Sequence, residues 1–225
     1  MISYFIIFGV FMLLSWLISY QLKSRFKKYS LIPLNNGLIG RDVAEKMLKD
    51  NNITDVKVIS TNGLLKDHYN PLNKTINLSQ EVYFGNHIAA GAVAAHECGH
   101  AVQHANAYSW LRMRSALVPV MSFTPNWIQW VLLGGILLIN TFPQLLLIGI
   151  FLFAATTIFS FITLPVEINA SNRAIRWLIS SGVATYSTIP KAQDALNWAA
   201  YTYVVAALGS LTTLLYYIMI YLGRR

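Results

Sequence analysis

The chain has a single cysteine, Cys98, among its 225 residues, so no intramolecular disulfide can staple it. That excludes the disulfide-scaffold class of small secreted proteins. Charge is scarce too: Asp, Glu, Lys and Arg make up 12% of the residues, and only 9 are acidic. Three stretches hold no charged side chain at all, Met1–Leu22, Ser115–Val166 and Ala195–Gly223. One bilayer crossing needs about 20 apolar residues, which each stretch supplies and the second supplies twice over. With 55% hydrophobic residues and a mean hydropathy of +0.48, this distribution excludes a wholly water-soluble domain. The first stretch lacks both a basic leading segment and a small-residue cleavage pattern, so it reads as a retained anchor rather than a signal peptide. Repeats and low-complexity tracts are absent as well, which excludes solenoid architectures.

Basic residues are the exception to this scarcity, giving a net charge of +8. Their placement excludes a nucleic-acid binder, which would interleave basic and aromatic residues in a soluble module. Lys23, Arg25, Lys27 and Lys28 instead follow the first apolar stretch directly, where the positive-inside rule and anionic headgroups favour them. The bilayer is therefore the first expected partner. Twelve of the 17 Lys and Arg fall in 23–115, against three in 165–198 and two at the C-terminus. That bias places both polar segments in the cytoplasm, and two intervening crossings return the chain to the same side.

The expected architecture is a multi-pass α-helical membrane protein with spans at about 2–22, 124–142, 145–164 and 199–222. It divides into an N-terminal anchor (1–22), a cytoplasmic catalytic region (23–115), a membrane hairpin (116–164), a helical segment supplying a further ligand (165–198) and a C-terminal span (199–225). Asn140 to Gln144, with Pro143, reads as the hairpin turn, and Pro165 as the start of a helix. In the catalytic region, Gly40–Asn51 reads as an amphipathic helix and Val56–Ile59 as a strand. Leu64–Tyr69 and Thr75–Leu78 flank the turn-forming Asn70-Pro71-Leu72-Asn73, which predicts a β-hairpin. The alanine-rich Ile88–Ala105 reads as a helix.

That last helix holds the chemistry. Ala94–Gln103 reads A-A-H-E-C-G-H-A-V-Q, containing the H-E-x-x-H pattern of a zinc hydrolase. On a helix His96 and His100 stand one turn apart on one face, so both imidazoles can reach one ion. Glu97 lies beside them, where a carboxylate can take a proton from a metal-activated water. Cys98 sits about 200° around the helix from His96 and reads as a packing residue. His104 lies about 12 Å along the axis from His96, too far to share an ion with both histidines. The extended pattern with a third histidine needs Gly at 103 and His at 106, where this chain has Gln103 and Asn106.

A catalytic zinc takes three protein ligands as a rule. Glu167 is the best third candidate: it follows the long uncharged stretch, on the required side of the membrane, where a cation would neutralise it. The competing reading is a carboxylate at a helix N-terminus, favoured by the dipole; Asp67 and Asp194 are the alternative carboxylates. Ser171, one turn further, can steady a ligand through a hydrogen bond, and Arg173 can do so less directly. His68, Tyr69, Tyr108 and Arg173 are the candidates to stabilise a developing oxyanion.

With these residues in view, A-A-H-E-x-G-H-A-x-Q-H-A followed by L-P-V-E-x-x-A-S-x-R-A resembles the YugP-like bacterial membrane zinc metallopeptidases. Asp67–Pro71 (D-H-Y-N-P) and Asn77–Ser79 (N-L-S) carry the likeness too, which covers nearly the whole chain. More distantly the chain is similar to the HtpX-type membrane proteases, whose third ligand is a Glu after a membrane hairpin. Those relatives carry Asp four residues beyond that Glu, where this chain has Ser171. The resemblance implies a small gluzincin-like α+β zinc-peptidase domain, one zinc per chain and metalloendopeptidase activity in the bacterial cell membrane. The expected substrates are peptides or membrane proteins; neither cleavage specificity nor oligomeric state follows. Two other classes compete, a site-2-type protease with the histidine helix inside the bilayer and a zinc-binding scaffold without turnover.

Overall fold

A computed structural model describes residues 2–34, 37–63 and 66–223. In chain order the elements are α1 (Ile2–Tyr29), α2 (Gly40–Asp50), β1 (Lys57–Thr61), β2 (His68–Asn70), β3 (Thr75–Ser79) and α3 (Gln80–Tyr83). Then follow α4 (Ile88–Ala105), α5 (Ser109–Leu137), α6 (Pro143–Ser180) and α7 (Ile189–Leu222). The chain divides into two units. One comprises Met1–Leu17, Arg112–Leu164 and Thr202–Arg225, and the other Ile18–Leu111 and Pro165–Tyr201.

The second unit contains the small sheet and the histidine helix. Its sheet has the order β1-β3-β2, with β1 parallel and β2 antiparallel to β3. The expected hairpin is present: His68 pairs with Asn77 and Asn70 with Thr75, and the Asn70 side chain accepts the Leu72 N–H at 3.0 Å to tighten the turn. Leu64 and Leu65, the first residues of the expected hairpin strand, lie outside the described residues. Being central, β3 buries Thr75, Ile76, Leu78 and Ser79, while β1 stays largely exposed.

The helices of this unit enclose one apolar core. Val43, Ala44 and Met47 of α2 pack with Ala94, Cys98 and Ala101 of α4, and the Cys98 thiol donates to the Ala44 carbonyl at 3.4 Å. Cys98 is thus a buried packing residue. The α2 N-terminus is closed by Asp42, whose carboxylate accepts the Ile39 N–H at 3.1 Å. That of α4 is closed by His87, whose Nδ1 accepts the Ala90 N–H at 3.1 Å. From α6 and α7 come Ala174, Leu178, Ala192 and Leu196. Tyr29 and Arg25 of α1 both reach Asp194, at 2.6 and 3.2 Å.

The first unit contains most of the uncharged lengths. Among the described residues, three helices are long and apolar enough to cross a membrane: Ile6–Tyr29, Pro143–Ser180 and Ile189–Leu222. Where the second of the four spans was expected, at 124–142, α5 runs from Ser109 to Leu137 and its described apolar stretch is Trp127–Leu137. The hairpin closes over residues 138–142, and Pro143 takes the first position of α6, where its missing N–H has no helical acceptor to lose. A Cβ on Gly135 would lie 2.6 Å from the Leu146 Cα, so glycine there lets α5 and α6 touch at backbone distance. Large apolar side chains such as Phe8, Met12, Trp127 and Phe151 are exposed.

One expectation fails. Pro165 does not begin a helix; it lies within the 38 residues of α6. An interior proline costs about 3 kcal/mol in an isolated helix, which is why it reads as a boundary. Here the stripe Ile162, Val166, Ala170, Ala174 and Leu178, spaced four residues apart, is buried throughout. That continuous packing outweighs the local penalty and carries the helix through. Glu167 accordingly sits in mid-helix rather than at an N-terminus, which removes the dipole-capping reading of that residue.

Candidate metal centre

Three ligand atoms converge between α4 and α6. The Nε2 atoms of His96 and His100 lie 3.2 and 3.6 Å from the same Glu167 oxygen, and one ligand atom from each of the three falls within 4.8 Å of the others. Bonds of about 2.0–2.1 Å at tetrahedral angles separate neighbouring ligand atoms by about 3.3 Å. The separations around Glu167 therefore fit a single zinc, and the set of two imidazoles and a carboxylate suits that ion. Glu167 and His100 are buried, and His96 is mostly so.

Gly99 makes this convergence possible. A Cβ at that position would stand 2.6 Å from the Ala170 carbonyl oxygen and 3.0 Å from its Cα, so only glycine lets α6 lie this close to α4. The requirement sits inside the H-E-x-x-H pattern itself, one residue before His100.

Each imidazole is held from behind. His96 Nδ1 meets the Ser171 hydroxyl at 3.0 Å, and His100 Nδ1 meets Oε1 of the Gln103 side chain at 3.0 Å. The Gln103 amide nitrogen donates in turn to the Val166 carbonyl at 2.8 Å and to Asn169 Oδ1 at 3.0 Å. Arg173 completes the line, its Nε donating to Asn169 at 2.8 Å.

Glu97 is buried on the sheet side of α4 and accepts the Tyr69 backbone N–H at 2.9 Å. Burial pushes its carboxyl up to about 7, against the pull of His96, with Glu167 and Asp67 adding to the rise. A carboxyl poised there can accept and return a proton near neutral pH. Asp67 is likewise raised by burial, opposed by the Ser79 N–H and hydroxyl at 2.8 and 3.0 Å.

The remaining candidates divide. Tyr69 touches Glu97 through its backbone, while its hydroxyl binds His104 Nδ1 at 2.7 Å. His68 is exposed and turned toward the Lys66 carbonyl, 2.8 Å away. Tyr108 lies just past the end of α4, its N–H bonded to the Gln103 carbonyl at 2.9 Å. Arg173 is occupied by Asn169. Of the alternative third carboxylates, Asp67 is committed to Ser79 and Asp194 to Tyr29 and Arg25. Gln103 and Asn169 carry no weight in the sequence reading, although one signal was available. Gln103 is a polar residue one turn from His100 on a helix face otherwise buried with alanines.

Two histidines of the H-E-x-x-H helix α4 and a glutamate of α6 thus form a cluster whose donor set suits a zinc ion. Residues 4–222 match the family described as "Putative neutral zinc metallopeptidase", and the chain belongs to that family. It is similar to the "Putative membrane protease YugP" of Bacillus subtilis (strain 168), 41% identical over 212 residues that cover 94% of this chain and 93% of that protein. No solved structure matches it.

Proposed function

We propose that this protein is a membrane zinc metalloendopeptidase of the H-E-x-x-H…E gluzincin type, its catalytic region facing the cytoplasm at the bacterial cell membrane. One zinc ion per chain is held by His96, His100 and Glu167, and Glu97 is the general base. The observation that carries the reading is the convergence of both Nε2 atoms on one Glu167 oxygen, with Glu97 on the adjoining face of the same helix.

Bound there, zinc supplies a Lewis acid that lowers the pKa of water and polarises a carbonyl. Glu97 takes the proton of the attacking water and delivers it to the leaving amine. The Tyr69 N–H fixes one oxygen of Glu97, leaving the other for the water. Strand β2 is the edge of its sheet beside α4, so an extended peptide of a membrane or membrane-proximal substrate would run along it. At Tyr69 the backbone N–H is already engaged by Glu97, which leaves the Tyr69 carbonyl as the backbone group offered to that substrate. Among the four oxyanion candidates, His68 and Tyr69 both lie on this edge strand.

Two observations favour this reading over its rivals. The histidine helix α4 is not among the helices of the described residues that are long and apolar enough to span a bilayer, which argues against hydrolysis within the membrane core. The intact, buried Glu97 argues against a scaffold, since ligation alone does not require it. Replacing Glu97 with Gln tests the assignment: purified protein should keep zinc at wild-type stoichiometry and lose peptide cleavage by at least about 100-fold. Sustained turnover in Glu97→Gln would refute the general-base role.

A further inference from the structure

We propose that Gln103 is a positioning residue for the metal centre, fixing the tautomer of His100 and the height of Glu167 with one amide. The inference rests on the zinc reading above and extends it to a residue outside the ligand set.

Every donor and acceptor in the line behind His100 has a forced sense. The Arg173 guanidinium only donates, so the Asn169 atom it meets at 2.8 Å is the acceptor oxygen. That same oxygen receives Gln103 Nε2 at 3.0 Å, and the Val166 carbonyl, which only accepts, receives it at 2.8 Å. Both amide protons of Gln103 are thereby assigned, and its oxygen is the atom 3.0 Å from His100 Nδ1. An amide oxygen only accepts, so Nδ1 carries the proton and Nε2 presents its lone pair toward Glu167. His96 has a looser arrangement, because the Ser171 hydroxyl at 3.0 Å can rotate to donate or accept.

The second effect is mechanical. Val166 immediately precedes Glu167, so the amide that orients His100 also pins the adjacent backbone of α6 to α4. A fully buried glutamine on a helix lined with alanines is costly unless all its polar atoms are satisfied, and here all three contacts are made. Positioning both a histidine and the glutamate from one amide accounts for a polar residue there.

The test measures metal affinity by chelator competition on full-length protein in detergent, alongside the visible spectrum of the cobalt-substituted form and the unfolding temperature without metal. Gln103→Met keeps the volume and removes all three hydrogen bonds. The expected result is a fall in zinc affinity of about 10–100-fold and a weakened cobalt spectrum, with metal-free unfolding within a few degrees of wild type. Wild-type affinity in Gln103→Met would overturn the proposal. Should that variant fail to fold, Asn169 decides: Asn169→Asp, which still accepts from both neighbours, should stay near wild type, while Asn169→Leu should lose affinity several-fold. Equal affinity in those two variants would overturn it as well. If the wild-type protein itself binds no zinc, the functional reading fails and this inference with it; tight wild-type binding matched by Gln103→Met sinks the inference alone.

Discussion

Gly99→Ala is the most revealing single perturbation of the site, because its effects on folding and on metal binding part company. The added Cβ would stand 2.6 Å from the Ala170 carbonyl oxygen. An ordinary C···O contact is about 3.3 Å, so α4 and α6 must separate by roughly 0.7 Å. Overpacking of this kind costs about 1–3 kcal/mol, while replacing glycine in a helix interior recovers up to about 1 kcal/mol. The net change in folding is therefore small, about 0–2 kcal/mol of destabilisation. The metal centre is less forgiving, since coordination distances tolerate only about 0.2 Å. A 0.7 Å displacement of the backbone beside Glu167 should lower zinc affinity by at least about tenfold. Gly91→Ala is the matched control on the same helix, since its Cβ would meet only the flexible end of Leu34 at 3.0 Å. Chelator competition and thermal unfolding of both variants provide the comparison. Wild-type zinc affinity in Gly99→Ala would refute the claim that close approach at this glycine sets the ligand geometry.

Other expectations follow from the same contacts. Ser171→Ala removes the partner of His96 Nδ1 and should weaken zinc binding by no more than about tenfold, the low end of the usual range, because the hydroxyl is a weaker constraint than the Gln103 amide. A loss equal to that of Glu167→Ala would place Ser171 among the ligands. Zinc at 100 times its dissociation constant should stabilise the wild-type fold by about 2.7 kcal/mol. Stripping it with a chelator should therefore lower the unfolding temperature of wild type, whereas Glu167→Ala should unfold at the same temperature with or without chelator.

Much of the site is legible in the sequence because it resides in local spacing. His96 and His100 declare their shared face through helical periodicity, with Glu97 on the adjoining one, and the observed Ile88–Ala105 helix matches the alanine-rich run. The hairpin follows from Asn70 and Pro71, whose turn chemistry is local as well. What eluded the sequence depends on tertiary packing. Pro165 obeys a rule about isolated helices, and nothing local announces that the buried stripe from Ile162 to Leu178 would override it. Gln103 illustrates the same limit: its partners Val166 and Asn169 stand more than sixty positions away, so its value emerges only once α6 lies against α4. Gly99 was visible as a letter in the motif, but its reason is a carbonyl on another helix.

Zinc content and X-ray absorption of the purified protein, with Glu167→Ala beside it, test the central claim most directly. One zinc per chain, bound by two imidazole nitrogens and a carboxylate oxygen in wild type and lost from the variant, is the outcome this account predicts. Full zinc occupancy in Glu167→Ala with an unchanged absorption spectrum would contradict it and move the third ligand to another carboxylate.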